Sequence, residues 1–204
     1  MDTKASTFTH KIKDSTAELH LRLESQALLS AIMAPVVTPL QYYYYLLFMK
    51  KIEEVYETKV LTRLADIFPE LEHTKASQLI SDDFYSIDGN TAAKSFVMKE
   101  YTIPDEMISI PFAWGYMYVM KGSKLGGKVI YRHIHRTLGY SDSYGAKYIA
   151  DYGNNTFGFW KEFLLKFSMY VAENNCEDEA IQGAEYAFSS IYDFLETNKL
   201  VYEI

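Results

Sequence analysis

His20 and Glu24 stand four residues apart in the N-terminal segment of the chain. This spacing places both side chains on the same face of an amphipathic helix. A neutral imidazole can bind a metal through one ring nitrogen when another group accepts the hydrogen of the second nitrogen, and the Glu24 carboxylate is placed for that task. The pair therefore indicates a candidate metal ligand, although a packed or solvated helical histidine has the same pattern.

Three glycines, Gly122, Gly126 and Gly127, interrupt a long segment that otherwise has helical character. Each glycine inside a helix costs about 1 kcal/mol relative to alanine, so a compensating role is expected. One such role is contact between the helix backbone and a flat ligand, where any Cβ would collide. The other is close helix–helix contact through Gly122 and Gly126. The residues alone leave both roles open.

Residues 122–128 also spell GxxxxGK, the beginning of a phosphate-binding loop. The next residue is Val129 and not the Ser or Thr that would hold Mg²⁺, and no β-strand pattern precedes the motif. We therefore reject a nucleotide site.

Basic residues recur every four positions on the opposite side of this predicted helix, at Lys124, Lys128, Arg132 and Arg136. The simplest interpretation is a solvated face, and the alternative is a docking surface for an acidic electron donor. His133 falls on the glycine side and is a reserve candidate for the ligand.

The elements that must position these residues are helical. The sequence predicts helices over about 7–34 (continuous or interrupted), 39–67, 69–83, 92–101, 112–138, 156–173 and 177–198. Thr38 and Pro39 provide an N-cap and a first-turn proline, and Gly139 provides a C-terminal stop. Sustained period-two alternation is almost absent. The expected fold class is all-α, a multi-helical bundle in which residues 1–204 form a single domain.

Composition narrows the function. A net charge of −7 lacks the basic excess of a nucleic-acid-binding surface. Cys176 is the only cysteine, which excludes a disulfide framework and any multi-thiolate metal site. The N-terminus lacks an apolar signal core and no segment reads as a membrane span, so we expect a cytoplasmic protein with neither nucleic-acid nor membrane partners.

Together, the histidine-bearing first helix and the glycine-broken later helix resemble the heme oxygenase family. Members carry the proximal histidine in a Thr-x-x-x-His setting with Glu four residues later, which matches Thr16, His20 and Glu24. They also carry a distal Gly-x-x-x-Gly-Gly pattern, which is matched by residues 122–127. The resemblance spans about 8–195 and implies the bacterial, biliverdin-producing type.

The resemblance implies that heme is both cofactor and substrate, bound between these two helices with His20 on the iron. The reaction would use O₂ and electrons from a donor such as a ferredoxin, a flavodoxin or a reductase, and would release biliverdin, CO and ferrous iron. Ser123 stands where many members have an aspartate that organises distal waters. Some bacterial members have Gly-Ser-x-Leu-Gly-Gly here, as this chain does with Gly122 and Gly126.

Further residues are expected to line the heme pocket. Lys13 lies two turns before His20 on the same helix face, about 10 Å along the axis, and is a candidate for the heme propionates. Lys161 resembles the propionate-contacting lysine of the family, and Tyr118 and Phe188 are candidate pocket walls. Two alternatives stay open: a heme carrier or sensor that does not cleave the ring, and a heme-free helical-bundle protein.

Overall fold

The computed structural model describes residues 3–65, 67–68, 75–87, 97–150 and 156–199, with side chains from Thr7 onward. Its helices are α1 Thr3–Glu24, α2 Ala27–Ile32, α3 Pro39–Val55, α4 Leu61–Ala65, α5 Ala76–Ser86, α6 Ile110–Leu138, α7 Lys147–Ala150, α8 Thr156–Asn174 and α9 Glu177–Thr197. A π-helical turn, Tyr56–Val60, joins α3 to α4. A 3₁₀ turn covers Asp105–Met107. Within the described ranges the only β-pairing is a set of isolated bridges at Ser141, which confirms the all-α prediction.

Local sequence signals account for several helix ends. The Thr38 hydroxyl accepts from the Gln41 amide at 3.2 Å, and the Gln41 side chain accepts from the Thr38 amide at 2.8 Å, forming a capping box at the start of α3. Ser109 caps α6, whose second residue is Pro111. Gly139 ends α6 in the left-handed region at φ 73°, as the sequence predicts.

Other boundaries differ from the predictions. The first predicted helix, for which the sequence allowed an interruption, is divided into α1 and α2 where the Gln26 side chain accepts from the Leu28 amide at 2.8 Å and begins a new helix. Helix α5 continues to Ser86, past the predicted end at 83. Residues 97–101 are non-helical, contrary to prediction: the Lys99 amide donates to Asn198 Oδ1 at 2.8 Å and ties this segment to the end of α9.

The sequence did not predict the short helix α7. The Asp83 carboxylate accepts from the backbone amides of Lys147 and Tyr148, at 2.8 and 2.9 Å, and so satisfies donors at its start. This capping acid comes from α5, which is distant in sequence. Predicted features at 69–74, 88–96 and 151–155 lie outside the described residues.

Helix α9 packs against both α6 and α1. Where α6 and α9 cross, a Cβ at Gly115 would overlap the Ala180 backbone, and a Cβ at Gly183 would overlap the Phe112 backbone. Glycine is therefore required at both positions for this close approach. The tight helix–helix contact that Gly122 and Gly126 suggested is built here instead, by a different pair of glycines.

Helix α1 runs in the same direction as α9. In the first half of α1, Lys11 pairs with Glu177, the first residue of α9, at 3.0 Å. Towards the end of α1, Arg22 approaches Asp193, further along α9, at 3.9 Å. These pairs are exposed and stabilise the protein little, but they fix the relative direction of the two helices.

Helix α6 also runs in the same direction as α9. Ser109, before α6, donates to Glu179 at 2.5 Å. Further along, the Tyr116 hydroxyl is 2.5 Å from that of Tyr101, which in turn lies 2.8 Å from Ser190. Helices α1 and α6 therefore lie parallel to each other, both packed on α8 and α9.

Candidate functional site

Thr16 of α1 and Tyr118 of α6 lie beside each other and bridge the two helices, since the Thr16 side chain acts on the Tyr118 phenol. Thr16 is buried, and burial raises the pKa of the Tyr118 phenol while the Thr16 hydroxyl lowers it. Because the helices are parallel, His20 and Gly122 each lie one turn beyond this bridge in the same direction. The bridge thus places the two sequence motifs on the same side of the bundle.

His20 is half-exposed and lies beside two of its expected neighbours. Its Nε2 atom is 3.7 Å from Glu24 Oε1, an ion-pair distance but too long for a hydrogen bond. The ring meets Phe188 of α9 edge-on, with centroids 5.6 Å apart. Phe188 is itself buried. The structure therefore brings His20, Glu24 and Phe188 together, with one side of the imidazole open to solvent.

The glycines of α6 have different surroundings. The Cβ position of Gly122 is 3.5 Å from the indole of Trp160, so this glycine packs against α8. The Cβ position of Gly126 meets no atom within 4 Å. Gly127 is buried. Gly122 therefore has, in part, the expected role of a helix-contact residue. Gly126 instead leaves open space beside the helix backbone, which is what a flat ligand needs.

Ser123 is exposed between these glycines, and its hydroxyl donates to the Met120 carbonyl at 2.8 Å. The whole 122–128 segment lies within α6, so its backbone amides are used by the helix and cannot surround a phosphate as a loop would. This agrees with the rejection of a nucleotide site.

The cationic candidates occupy the surface. Lys13 is exposed on α1. Lys161 is exposed on α8, with its Nζ 4.7 Å from the centroid of the Phe157 ring. Arg22, on the same helix as Lys13, lies over the Tyr192 ring at 3.9 Å. Lys13 and Lys161 are therefore accessible to an anionic group.

His133, the reserve ligand, is occupied by the protein. Its Nε2 is 2.9 Å from the Ala34 carbonyl, and Arg136 approaches Nδ1 at 3.2 Å. Because the carbonyl can only accept and the guanidinium can only donate, His133 is neutral with its hydrogen on Nε2. Both ring nitrogens are engaged, so His20 is the better candidate ligand.

Sequence reasoning missed Glu53 on α3. This glutamate is only 3% exposed, and its Oε1 accepts from the Tyr148 hydroxyl at 2.9 Å. Burial raises the pKa of Glu53 to about 7. The rise is opposed by Lys124, Tyr148 and Lys121, and Glu57 adds to it. No motif marks Glu53, but the π-helical turn that begins three residues later is a structural sign often found at functional sites.

Lys121 and Lys124 flank the segment Gly122–Ser123, and their positive charges act to lower the pKa of Glu53. Burial lowers the pKa of Lys121 to about 8, with Lys124 acting in the same direction and Glu53 opposing it. The glycine segment of α6 is therefore bordered by groups that change protonation near neutral pH.

Across the described part of the chain, no group of three or more His, Cys, Asp or Glu side chains is arranged to hold a metal ion. None of the described helices is long and apolar enough to cross a membrane.

The fold and site define an all-α protein with an accessible histidine beside a carboxylate and, on a parallel helix, a backbone stretch open to a flat ligand. A sequence profile of heme oxygenases matches residues 6–197. The chain therefore belongs to the heme oxygenase family.

Individual relatives agree with this assignment. Heme oxygenase PigA of Pseudomonas aeruginosa is 25% identical over 150 residues, which cover 74% of this chain and 71% of that protein. The crystal structure of NO- and CO-bound heme oxygenase from Neisseria meningitidis matches with a TM-score of 0.71, over 94% of this chain and 91% of the other, at 22% identity. The latter likeness supports the fold.

Proposed function

We propose that this protein is a biliverdin-producing heme oxygenase that binds heme between α1 and α6, with His20 as the iron ligand. The observation that carries the proposal is the pairing of an accessible His20 with the open Cβ position of Gly126, each beyond the Thr16–Tyr118 bridge. A Cβ at Gly126 would fill space that a flat ring could use. Heme fits this donor set because the porphyrin supplies four iron ligands and the protein needs to add only one.

His20 and Glu24 would orient the iron ligand. In the present rotamer Nε2 faces Glu24 at 3.7 Å. Turning the ring about its Cβ–Cγ bond exchanges each nitrogen with a ring carbon and would move Nε2 away from Glu24, which frees Nε2 for iron and leaves the Nδ1 hydrogen as the one that the carboxylate can accept. A carboxylate behind the ring fixes its tautomer and increases the basicity of the ligating nitrogen. Phe188, edge-on to the ring, limits its rotation.

Bound heme supplies the chemistry of O₂ reduction and is itself the substrate, giving biliverdin, CO and ferrous iron. The protein must then hold protons near the distal side. The Ser123 hydroxyl, already donating to Met120, can accept a hydrogen bond from water but is not an acid. Glu53 is a buried acid with a pKa of about 7, near Lys121 and Lys124 of the glycine segment. We assign to its carboxyl the role of holding an exchangeable proton there.

The heme propionates need cations or hydroxyl donors at the pocket edge. Lys13 stands two turns before His20 on the exposed side of α1, and the Tyr118 hydroxyl lies at the bridge. Lys161 is accessible once it leaves the Phe157 ring. An external donor, such as a ferredoxin, a flavodoxin or a reductase, would supply electrons, and the basic residues at positions 128, 132 and 136 offer an acidic donor a complementary surface.

Titration with hemin tests the heme site. We expect a stoichiometric Soret band in the wild type and loss of histidine ligation in His20→Ala, with His10→Ala, an exposed histidine on the same helix, as the matched control. If the band does not form, the chain is a heme-free bundle protein. If His20→Ala has the wild-type spectrum, the ligand assignment is wrong.

Supplying an electron donor and O₂ to the loaded protein then tests catalysis. Replacement of the Soret band by biliverdin absorption, with CO release, supports the proposal. A band that persists under turnover conditions would instead identify a carrier or a sensor.

A further inference from the structure

A line of aromatic rings leads from the α6 glycine segment into the bundle. Trp160 packs against Gly122, and its ring centroid is 5.6 Å from that of Phe163. Phe163 is 5.6 Å from Trp114, which stacks on Tyr170 at 5.8 Å. We call Trp160, Phe163, Trp114 and Tyr170 the aromatic chain. It connects the edge of the proposed heme site to the last turn of α8.

The far end of the chain reaches the surface beside an oxidisable thiol. Tyr170 is partly exposed, and its main-chain carbonyl accepts from Asn174, where α8 ends. Cys176 follows in the turn and is a free, partly exposed thiol; its amide donates to the carbonyl of Val171, the residue next to Tyr170, at 3.4 Å, and the thiol acts electrostatically on the Tyr170 phenol. A tyrosine and a cysteine that adjoin each other and solvent are suited to give up electrons and protons.

The middle of the chain is suited to pass charge onward. Trp114 is 0% exposed, and its indole N–H has no hydrogen-bond partner among the described residues. An oxidised indole with no acceptor for its proton keeps that proton, so the positive charge remains mobile. Phenylalanine is much harder to oxidise, and Phe163 therefore acts as a spacer between the two indoles. An oxidised phenol loses its proton readily, so Tyr170 is the natural end point.

We propose that the aromatic chain carries oxidising equivalents away from the heme site, so that Tyr170 and Cys176 are oxidised when peroxide reacts with bound heme. The inference rests on the proposed heme site but not on ring cleavage. Its consequence is protective, because it diverts damage from the heme pocket to a surface position that cellular thiols can repair.

Reduction of one hydrogen peroxide to two waters takes two electrons and two protons. Tyr170 supplies both electrons through the aromatic chain, one at a time, and releases one proton with each, so the two protons released match the two that the peroxide takes up. After each electron, Cys176 transfers a hydrogen atom to Tyr170. A low-molecular-weight thiol restores Cys176 by hydrogen-atom transfer, and two of the resulting thiol radicals combine as a disulfide.

The test treats hemin-loaded protein with hydrogen peroxide in the presence of a nitroso spin trap and maps adducts by peptide mass spectrometry. We expect adducts on Tyr170 or Cys176 in excess of those on Tyr85, which is 95% exposed but outside the chain. Trp114→Phe and Tyr170→Phe should lose the Tyr170–Cys176 adducts, and Tyr85→Phe should retain them. Heme-free protein under the same conditions should not show the preference.

Each other outcome has a distinct meaning. Adducts that follow exposure, with Tyr85 labelled most strongly, would overturn the proposal, and so would wild-type labelling in Trp114→Phe. If Trp114→Phe fails to load heme, Tyr170→Phe provides the test, because this partly exposed position tolerates phenylalanine. Under peroxide, the Soret band of Tyr170→Phe should bleach faster than that of the wild type. An unchanged bleaching rate refutes the role of the aromatic chain. Absence of a Soret band in the wild type refutes the heme site and, with it, this inference.

Discussion

Replacement of Glu53 by glutamine should change how stability depends on pH. Burial raises the pKa of Glu53 from 4.5 to about 7. In the unfolded chain this carboxyl ionises near pH 4.5, so between about pH 4.5 and 7 the folded protein binds more protons than the unfolded protein. The free energy of unfolding therefore falls as pH rises through this window. At about 1.36 kcal/mol per pKa unit, the loss is on the order of 3 kcal/mol.

Glutamine keeps an acceptor for Tyr148 and carries no charge at any pH. Glu53→Gln should consequently remove this decline, and at pH 8 the variant should be more stable than the wild type. The matched control is Glu54→Gln: Glu54 is a partly exposed neighbour paired with Lys50 and Lys51 at 3.8 and 3.4 Å, and its loss should matter little.

Urea denaturation of heme-free protein between pH 5 and pH 8 provides the measurement. All other titratable groups are common to wild type and Glu53→Gln, so the difference between these two proteins isolates the carboxyl. Lys121, whose pKa is lowered to about 8, stays protonated below pH 7 and affects only the upper end. Parallel curves for wild type and Glu53→Gln would refute the assignment of Glu53 as a buried acid.

Four further substitutions, in the helices or at a helix cap, have expected outcomes. Gly126→Ala should raise the stability of the heme-free protein by up to about 1 kcal/mol, because its Cβ meets open space, yet weaken hemin binding in titration; equal affinity would contradict a flat ligand there. Gly183→Ala should destabilise the protein by at least about 1–3 kcal/mol in urea, since its Cβ overlaps the α6 backbone. Thr38→Ala should cost about 1 kcal/mol by loss of the capping box, and an unchanged urea midpoint would show that the cap is dispensable. Ser123→Asp should alter the turnover rate or biliverdin isomer ratio, measured by chromatography, and identical products at identical rates would exclude Ser123 from the distal side.

Much of the fold was predictable because its signals are local. Thr38 with Pro39, and Gly139 at the end of α6, act on backbone groups within a few residues of themselves, and the structure confirms them. The boundaries that failed depend on distant partners. Asn198 accepts a hydrogen bond from Lys99 and so holds residues 97–101, and Asp83 caps α7. Neither partner is near in sequence.

The candidate site divides in the same way. Spacing along one helix was enough to pair His20 with Glu24 and to mark Gly122 and Gly126 as positions that need an explanation. It did not distinguish the two glycines, because Trp160, the group that contacts Gly122, comes from α8. It also gave no reason to choose Glu53 among the other glutamates.

The sequence alone therefore determined most of the long helices and which of their residues are candidates to hold heme, since capping and periodicity are properties of neighbouring residues. Only the tertiary structure decided that His133 is occupied by Ala34 and Arg136, that Gly126 faces open space, and that Glu53 is buried as an acid near neutral pKa. Burial, electrostatic surroundings and the room left for a ligand depend on groups brought together from distant parts of the chain, and these properties exist only once the helices have packed.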